Sequence, residues 1–230
     1  MITTKDDLKR YLLADKLKMS KFGEPDSIIK RLKHAEDYYV WKIIRNIRYL
    51  EYYENNSDSM IYRLMGILCV LKSRRYSRKY GITIYPHVFQ EGLCIYHLGP
   101  IFFSSRAKVG KNFILRPMTL VASTRNGKPL DVEIGDNVEL SMGVSILCKK
   151  IGRFSVINAN SVVMMNVPPY SIVSGNPAKI IGFTMSPEDA YANEIKLYSE
   201  SERIPYETLK QNYNTYFKNR INEIKHFLKQ

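Results

Sequence analysis

An aliphatic residue returns every six positions through the middle of this 230-residue chain: Val109 and Leu115, then Ile134, Leu140 and Ile146, then Ile151, Ile157 and Val163. Gly110, Gly135 and Gly152 follow three of them, and Ser141 and Asn158 follow two more. Counted backwards from Val109, the same step reaches Phe103 and His97. So short a period excludes a helix-pair solenoid, whose unit is about 33 residues or longer. It fits a parallel β-helix: each short strand turns one apolar side chain inward, a small residue rounds the corner, and stacked coils bury a column that no single repeat could bury alone.

Two irregularities interrupt the count. From Leu120 to Ile134 the step is 14 instead of 12, and the turn-rich run Arg125-Asn126-Gly127-Lys128-Pro129 lies inside it. Residues 121–131 therefore read as a loop protruding from the stack, the kind of excursion on which function is built. From Ile146 to Ile151 the step is five, which reads as one shortened turn.

The flanks are helical in pattern. In residues 1–80, Leu8, Leu12 and Leu13 recur at helical spacing. Asp26 is expected to cap one long helix running through Ile28, Leu32, Tyr39, Ile43, Ile47 and Leu50. Asn55 to Ser59 is a break, with Asp58 or Ser59 capping the next helix. In residues 183–230, Ser186 is an N-cap with Pro187 at the first helical position. After Pro205, Leu209, Tyr213, Tyr216, Phe217, Ile221, Ile224, Phe227 and Leu228 form one face, expected to pack on the stack or on a neighbouring subunit. The expected organisation is thus 1–80 helical, 81–182 β-helix and 183–230 helical, mainly β in its central body.

The chain carries 35 Lys and Arg against 22 Asp and Glu, a net charge of +13. The excess is concentrated in residues 1–80 and includes Lys72, Arg74, Arg75, Arg78 and Lys79. That cluster reads as a solvated helix face, or else as a surface for an anionic partner such as lipid headgroups. No helix-turn-helix, zinc finger or aromatic RNA-binding signature accompanies the charge, so nucleic acid is not the expected partner. The three cysteines form no CxxC and no metal-ligand spacing, which argues against a disulfide framework or a metal site. The N-terminal MITTKDDLKR is too charged for a signal peptide, and the run Leu64 to Leu71 is too short to span a bilayer. A cytoplasmic protein, at most touching the inner membrane surface through 72–79, is expected.

The segment IGDNVELSMGVSILCKKIGRFSVINANSVVMMNVPPYSIVSGNPAKII resembles the end of a hexapeptide-repeat acyltransferase domain. Upstream, GITIYPHVFQEGLCIYHLGPIFFSSRAKVGKN resembles the serine O-acetyltransferase branch, and WKIIRNIRYLEYYENN resembles the helical leader of capsule and surface-polysaccharide acetyltransferases. The resemblance covers roughly residues 41–182. It implies a left-handed parallel β-helix, assembly as a homotrimer, and acetyl-CoA lying between the coils of adjacent subunits near the 121–131 loop.

Acetyl transfer to a hydroxyl needs a base for the alcohol proton and donors for the thioester oxyanion. Histidine suits the first task, and the resemblance places His97 in the catalytic position. His34 and His226 read as structural, and His87 lies outside the motif. Glu91 is a candidate to orient the imidazole or to bind acceptor. The resemblance puts Ser141, Gly143, Ala159 and Asn160 on the pantetheine path and Lys179 near the nucleotide phosphates. Where serine enzymes carry an acidic residue and a second histidine, this chain has Thr83 and Lys128. Those departures favour an acidic sugar acceptor of a capsular or surface glycan, held by Arg125 and Lys128. Serine O-acetylation and a non-catalytic trimeric scaffold are the alternatives.

Overall fold

The computed structural model describes residues 1–20 and 23–228. Its centre is a parallel β-helix of short strands, and the aliphatic repeat resolves into one inward column per face. Phe103, Val121, Ile146 and Val163 stack on the first face. Phe89, Val109, Ile134, Ile151 and Val167 stack on the second. Ile95, Leu115, Leu140, Ile157 and Val173 stack on the third. None of these side chains is more than 4% exposed. Small residues at the corners follow from the stacking: a Cβ on Gly135 would sit 2.6 Å from the backbone nitrogen of Arg153 in the next coil.

Two positions differ from the count. Val121, not Leu120, faces inward, and Leu120 is 40% exposed. The excursion therefore begins one residue later, and it forms a small antiparallel hairpin of Thr124–Arg125 with Lys128–Pro129. His97 is not in a column either: Ile95 pairs with Leu115, and His97 stands exposed two residues on. The coil needs eight residues to pass from Ile95 to Phe103, so the extra corner residues throw His97 outward.

The open ends of a solenoid expose an apolar core and unpaired backbone, and each end here has its own cap. The N-terminal cap comprises α1 (Lys5–Met19), α2 (Ile28–Leu32), α3 (Glu36–Asn55) and α4 (Met60–Tyr80). Thr4 and Asp7 form a reciprocal capping box at the start of α1. The long helix expected from Asp26 is two helices: Ser27, not Asp26, caps α2, and His34 at φ 49° breaks the chain before α3. At the next helix start Ser59 holds the cap position, without a side-chain bond. Gly81 ends α4 at φ 72°, where a Cβ would come 3.1 Å from the Pro100 backbone, and turns the chain into the first strand.

The leader is joined to the first coil by a buried ion pair. Asp15 of α1 and Arg48 of α3 are 0% and 1% exposed, and Arg48 Nε donates to Asp15 Oδ2 at 2.8 Å. Arg48 also donates to the carbonyls of Phe89 at 2.6 Å and Gln90 at 2.7 Å. Asp15 Oδ1 accepts from the backbone N–H groups of Gly92 and Leu93, both at 2.8 Å. Backbone groups of the terminal coil that no further strand would pair are satisfied by this one pair.

At the other end, Ser171–Gly175 pairs antiparallel with Ala178–Phe183, followed by α5 (Pro187–Leu197) and α6 (Tyr206–Phe227). Ser186 accepts from Asp189 N–H with Pro187 opening the helix, as its sequence requires. Leu209 is buried with Tyr170 and Ala190, and the Tyr213 ring stacks on Phe183 at 3.8 Å. Phe217, Ile221 and Ile224 remain about half exposed, so the first half of α6 packs its apolar face on the stack and the second meets it through Glu223 and Lys179. The Phe227 side chain lies outside the described residues. Among those residues, no helix is long and apolar enough to cross a membrane.

Candidate active site

His97 projects from the corner after Cys94–Ile95, with 56% of its side chain exposed and open to a reacting molecule. Its Nδ1 lies 3.1 Å from Glu36 Oε2, and Glu36 Oε1 accepts the Leu98 backbone N–H at 2.6 Å. A carboxylate only accepts, so the imidazole proton resides on Nδ1 and Nε2 is left free to take a proton. Both Glu36 oxygens are engaged on the same corner, which fixes the ring plane. Glu36 belongs to the first turn of α3, 61 positions from His97 in sequence. Sequence reasoning missed it, since only the docking of the leader brings it there. The one available signal was its place in the acidic first turn of a helix.

The other candidate residues divide. The register Ile95, Leu115, Leu140 and Ile157 stacks one corner through four coils. His97, Pro117, Met142 and Ala159 share one level of that corner, Ser141 lies a residue before it, and Gly143 and Asn160 a residue after. Gly143 N–H bonds the Pro117 carbonyl at 3.1 Å and Asn160 N–H bonds that of Met142 at 2.9 Å. Ser141, Gly143, Ala159 and Asn160 thus lie on the His97 edge, spaced by about 4.8 Å per coil. Gly143 has φ 76°, and a Cβ there would meet Asn160 Oδ1 at 2.2 Å, so only glycine fits beneath that amide.

Glu91 is elsewhere. It pairs with Lys111 at 3.0 Å and Arg10 at 3.5 Å, and Glu36 holds the position at the imidazole that Glu91 was expected to take. Arg125 donates to the carbonyls of Leu147 and Met164, both at 2.9 Å, pinning the hairpin to the stack. Lys128 is exposed on the hairpin. Lys179 is paired with Glu223 of α6 at 2.9 Å. The Thr83 hydroxyl bonds Ser77 at 2.9 Å. His87 lies 3.0 Å from Glu54, and His34 lies 2.6 Å from the Tyr39 hydroxyl. Burial pushes the Cys69 and Cys148 thiols up, away from the reactive thiolate. Among the described residues, no group of three or more His, Cys, Asp or Glu could hold a metal ion.

A further group flanks the corner. Tyr96 precedes His97, and the Arg116 guanidinium lies 5.0 Å from its ring centroid. Arg116 is in turn ion-paired with Glu139, and both are about 30% exposed. One cation and one anion therefore stand together over Tyr96, the residue before His97.

No protein-family model matches the chain. It is 33% identical over 120 residues to serine acetyltransferase 4 of Arabidopsis thaliana, covering 51% of this chain and 34% of that protein. The chain thus spans about a third of that relative's length. A Saccharomyces cerevisiae protein named as a candidate acetyltransferase is 30% identical over 145 residues, covering 56% of this chain and 71% of its own. The fold matches that of the Brucella abortus serine acetyltransferase solved with coenzyme A, at a TM-score of 0.61 and 21% identity over 79% of this chain and 70% of that one. With the yeast relative matched over most of its length and the hexad columns in place, this chain belongs to the hexapeptide-repeat acyltransferases.

Proposed function

We propose that the chain is an acetyl-CoA-dependent O-acetyltransferase with His97 as general base and L-serine as acceptor. The observation that carries this is the His97–Glu36 pair standing at the head of a corner lined by Ser141, Gly143, Ala159 and Asn160. Nε2 takes the acceptor's hydroxyl proton as its oxygen attacks the thioester carbonyl. The tetrahedral intermediate collapses, the sulfur of coenzyme A leaves, and the imidazolium returns the proton to it. The Nδ1–H bond to Glu36 holds the ring and stabilises the imidazolium, as a carboxylate does in other base-assisted acyl transfers. Small residues along the corner let a slender pantetheine arm approach backbone amides.

The surface-glycan acceptor drawn from Thr83 and Lys128 is the weaker reading. Two of the three proteins named above are serine acetyltransferases, and Glu36 offers His97 the acidic partner that Thr83 does not. Arg116 and Glu139 offer the cation and anion that a zwitterionic amino acid needs. A sugar acceptor is retained as the second reading because Lys128 stands exposed on the hairpin. Exposed Met118 and Met142 on the same corner suit a neighbouring copy, and a homotrimer with shared sites is the assembly we infer.

The deciding experiment follows coenzyme A release from acetyl-CoA with L-serine and, separately, with neutral and acidic glycans. L-serine should drive release, and His97→Ala should lower the rate by about 10²–10⁴-fold with the unfolding transition unchanged. Release with a glycan and not with L-serine would move the assignment to the second reading. Silence with every acceptor, together with no acetyl-CoA binding in a direct titration, would leave a non-catalytic scaffold.

A further inference from the structure

The leader holds a second concave feature, between α3 and α4, with a cavity of about 570 Å³. Five cations line it: Lys42 and Arg45 from α3, and Lys72, Arg75 and Lys79 from α4. No Asp or Glu lines it. Among the described residues, none of the five has a carboxylate within ion-pair distance. Neighbouring leader cations do: Lys9, Lys16, Lys30 and Arg48 pair with Asp6, Asp26, Asp37 and Asp15. Those four carboxylates are thus engaged elsewhere, and five like charges are left facing one cavity, an arrangement that lowers in energy when an anion enters.

The walls are aromatic. Tyr39 and Tyr80 have ring centroids 6.1 Å apart, and Tyr76 lies 6.4 Å from Tyr80. Lys79 Nζ lies 5.7 Å and 5.1 Å from the Tyr39 and Tyr80 rings. The cleft is also preformed: the Asn46 amide on its floor donates to the Cys69 carbonyl at 3.0 Å and to Ser73 Oγ at 2.8 Å, fixing α3 against α4. The sequence cluster 72–79 is therefore divided, with Lys72, Arg75 and Lys79 turned to the cleft.

We propose that this cleft binds a small molecule carrying two or more phosphate groups on a planar-ring scaffold, a nucleoside polyphosphate being the simplest member of the class. Arg and Lys supply charge-assisted donors to phosphate oxygens, and tyrosine rings supply a face for the base. The volume lies in the range of small-ligand sites, about 300–1,000 Å³. Tyr39 stands three residues after Glu36 on the same helix, so an occupant at that end lies one turn from the carboxylate that holds His97.

The test uses the intact chain without acetyl donor, so its outcome is independent of acetyl transfer. Trp41, the chain's single tryptophan, sits in α3 beside Lys42 and provides a fluorescence signal. ADP, inorganic pyrophosphate and phosphatidylcholine vesicles carrying an anionic phosphoinositide are titrated separately at about 0.15 M salt. Saturable ADP binding is expected, tighter than pyrophosphate and weakened at least about tenfold in an Arg45→Ala/Arg75→Ala double variant. Arg45→Lys/Arg75→Lys should recover part of the affinity, separating lost charge from lost fold. ADP affinity unchanged in the alanine variant would assign binding to the His97 edge and overturn the proposal. Binding to vesicles alone would overturn it in favour of a lipid headgroup, and equal affinity for ADP and pyrophosphate would remove the ring from the recognised chemistry.

Discussion

Both ends of the β-helix are closed by an arginine–carboxylate pair, and the two pairs bond to the stack differently. At the leader end, Asp15 and Arg48 both come from the cap and bond directly to backbone groups of Phe89, Gln90, Gly92 and Leu93. At the tail end, Arg153 belongs to the stack and Glu194 to α5, so the link runs between side chains: Arg153 Nε donates to Glu194 Oε1 at 2.8 Å. Tyr170 and the Ile204 N–H also donate to Glu194, at 2.6 Å and 2.9 Å. Backbone bonding sets the register of a cap; side-chain bonding sets only its attachment. The end that needs register is the leader end, where Glu36 must meet His97.

The largest effect should come from breaking the leader's pair. Arg48→Ala leaves the Asp15 carboxylate buried without its cation and two coil carbonyls without donors. Loss of one partner of a buried pair costs about 3–5 kcal/mol, which denaturant unfolding will measure. Activity should fall further than stability explains, since Glu36 loses its register. An Arg48→Ala protein as stable as the parent would mean that the apolar contacts of α3 alone set the cap.

The stack itself gives the reference for that comparison. Leu140 is 0% exposed in the middle of its column, and Leu140→Ala should cost about 2–5 kcal/mol through lost burial and a residual cavity. Here the His97–Glu36 geometry is untouched, so turnover at temperatures well below unfolding should stay near the parent value. A large loss of turnover would show that the stack, and not only the leader, holds the corner in shape.

Glu36→Gln is smaller and local. The amide still accepts from Leu98 N–H but no longer stabilises an imidazolium, so kcat should fall by about 10–100-fold, or about 1.4–2.7 kcal/mol, with KM nearly unchanged. Glu36→Asp should recover part of the rate. A structural role alone would move the unfolding transition and lower kcat no further than that loss of stability explains.

How much of this was legible in the sequence follows from the same contrast. The hexad count located Val109, Leu115, Ile134, Leu140, Ile146, Ile151, Ile157 and Val163, because each is fixed by a local step of five or six residues. It failed at Ile95 and Phe89, where the adjoining steps are irregular, and it set His97 inward because counting assumes a corner of constant length. The placing of His97, Ser141 and Asn160 on one edge came through a family resemblance, not through the count. Glu36, Asp15 and Arg48 act across the junction of helix and coil, and no local period encodes such a junction. Ser27 holds the cap expected of Asp26, and the break at His34 divides the expected helix in two; helix spacing expresses neither.

The tail pair yields the smallest effect, and it can be read through pH. Burial pushes the Glu194 carboxyl up, but the hydrogen bonds from Arg153, Tyr170 and Ile204 outweigh it and hold the group below its usual range. A carboxyl with a depressed folded-state pKa contributes stability that is present in full above its unfolded value, about 4.3, and is lost as pH falls through the folded value. Glu194→Gln should therefore cost about 1–2 kcal/mol at neutral pH, and the cost should shrink below about pH 4.3, where parent and variant converge. The loss should register as release of α5 and α6, seen by hydrogen exchange, while the coils stay protected. Exchange that speeds equally in the leader would mean the two caps unfold as one unit, and the division between a register-setting cap and an attached one would fall.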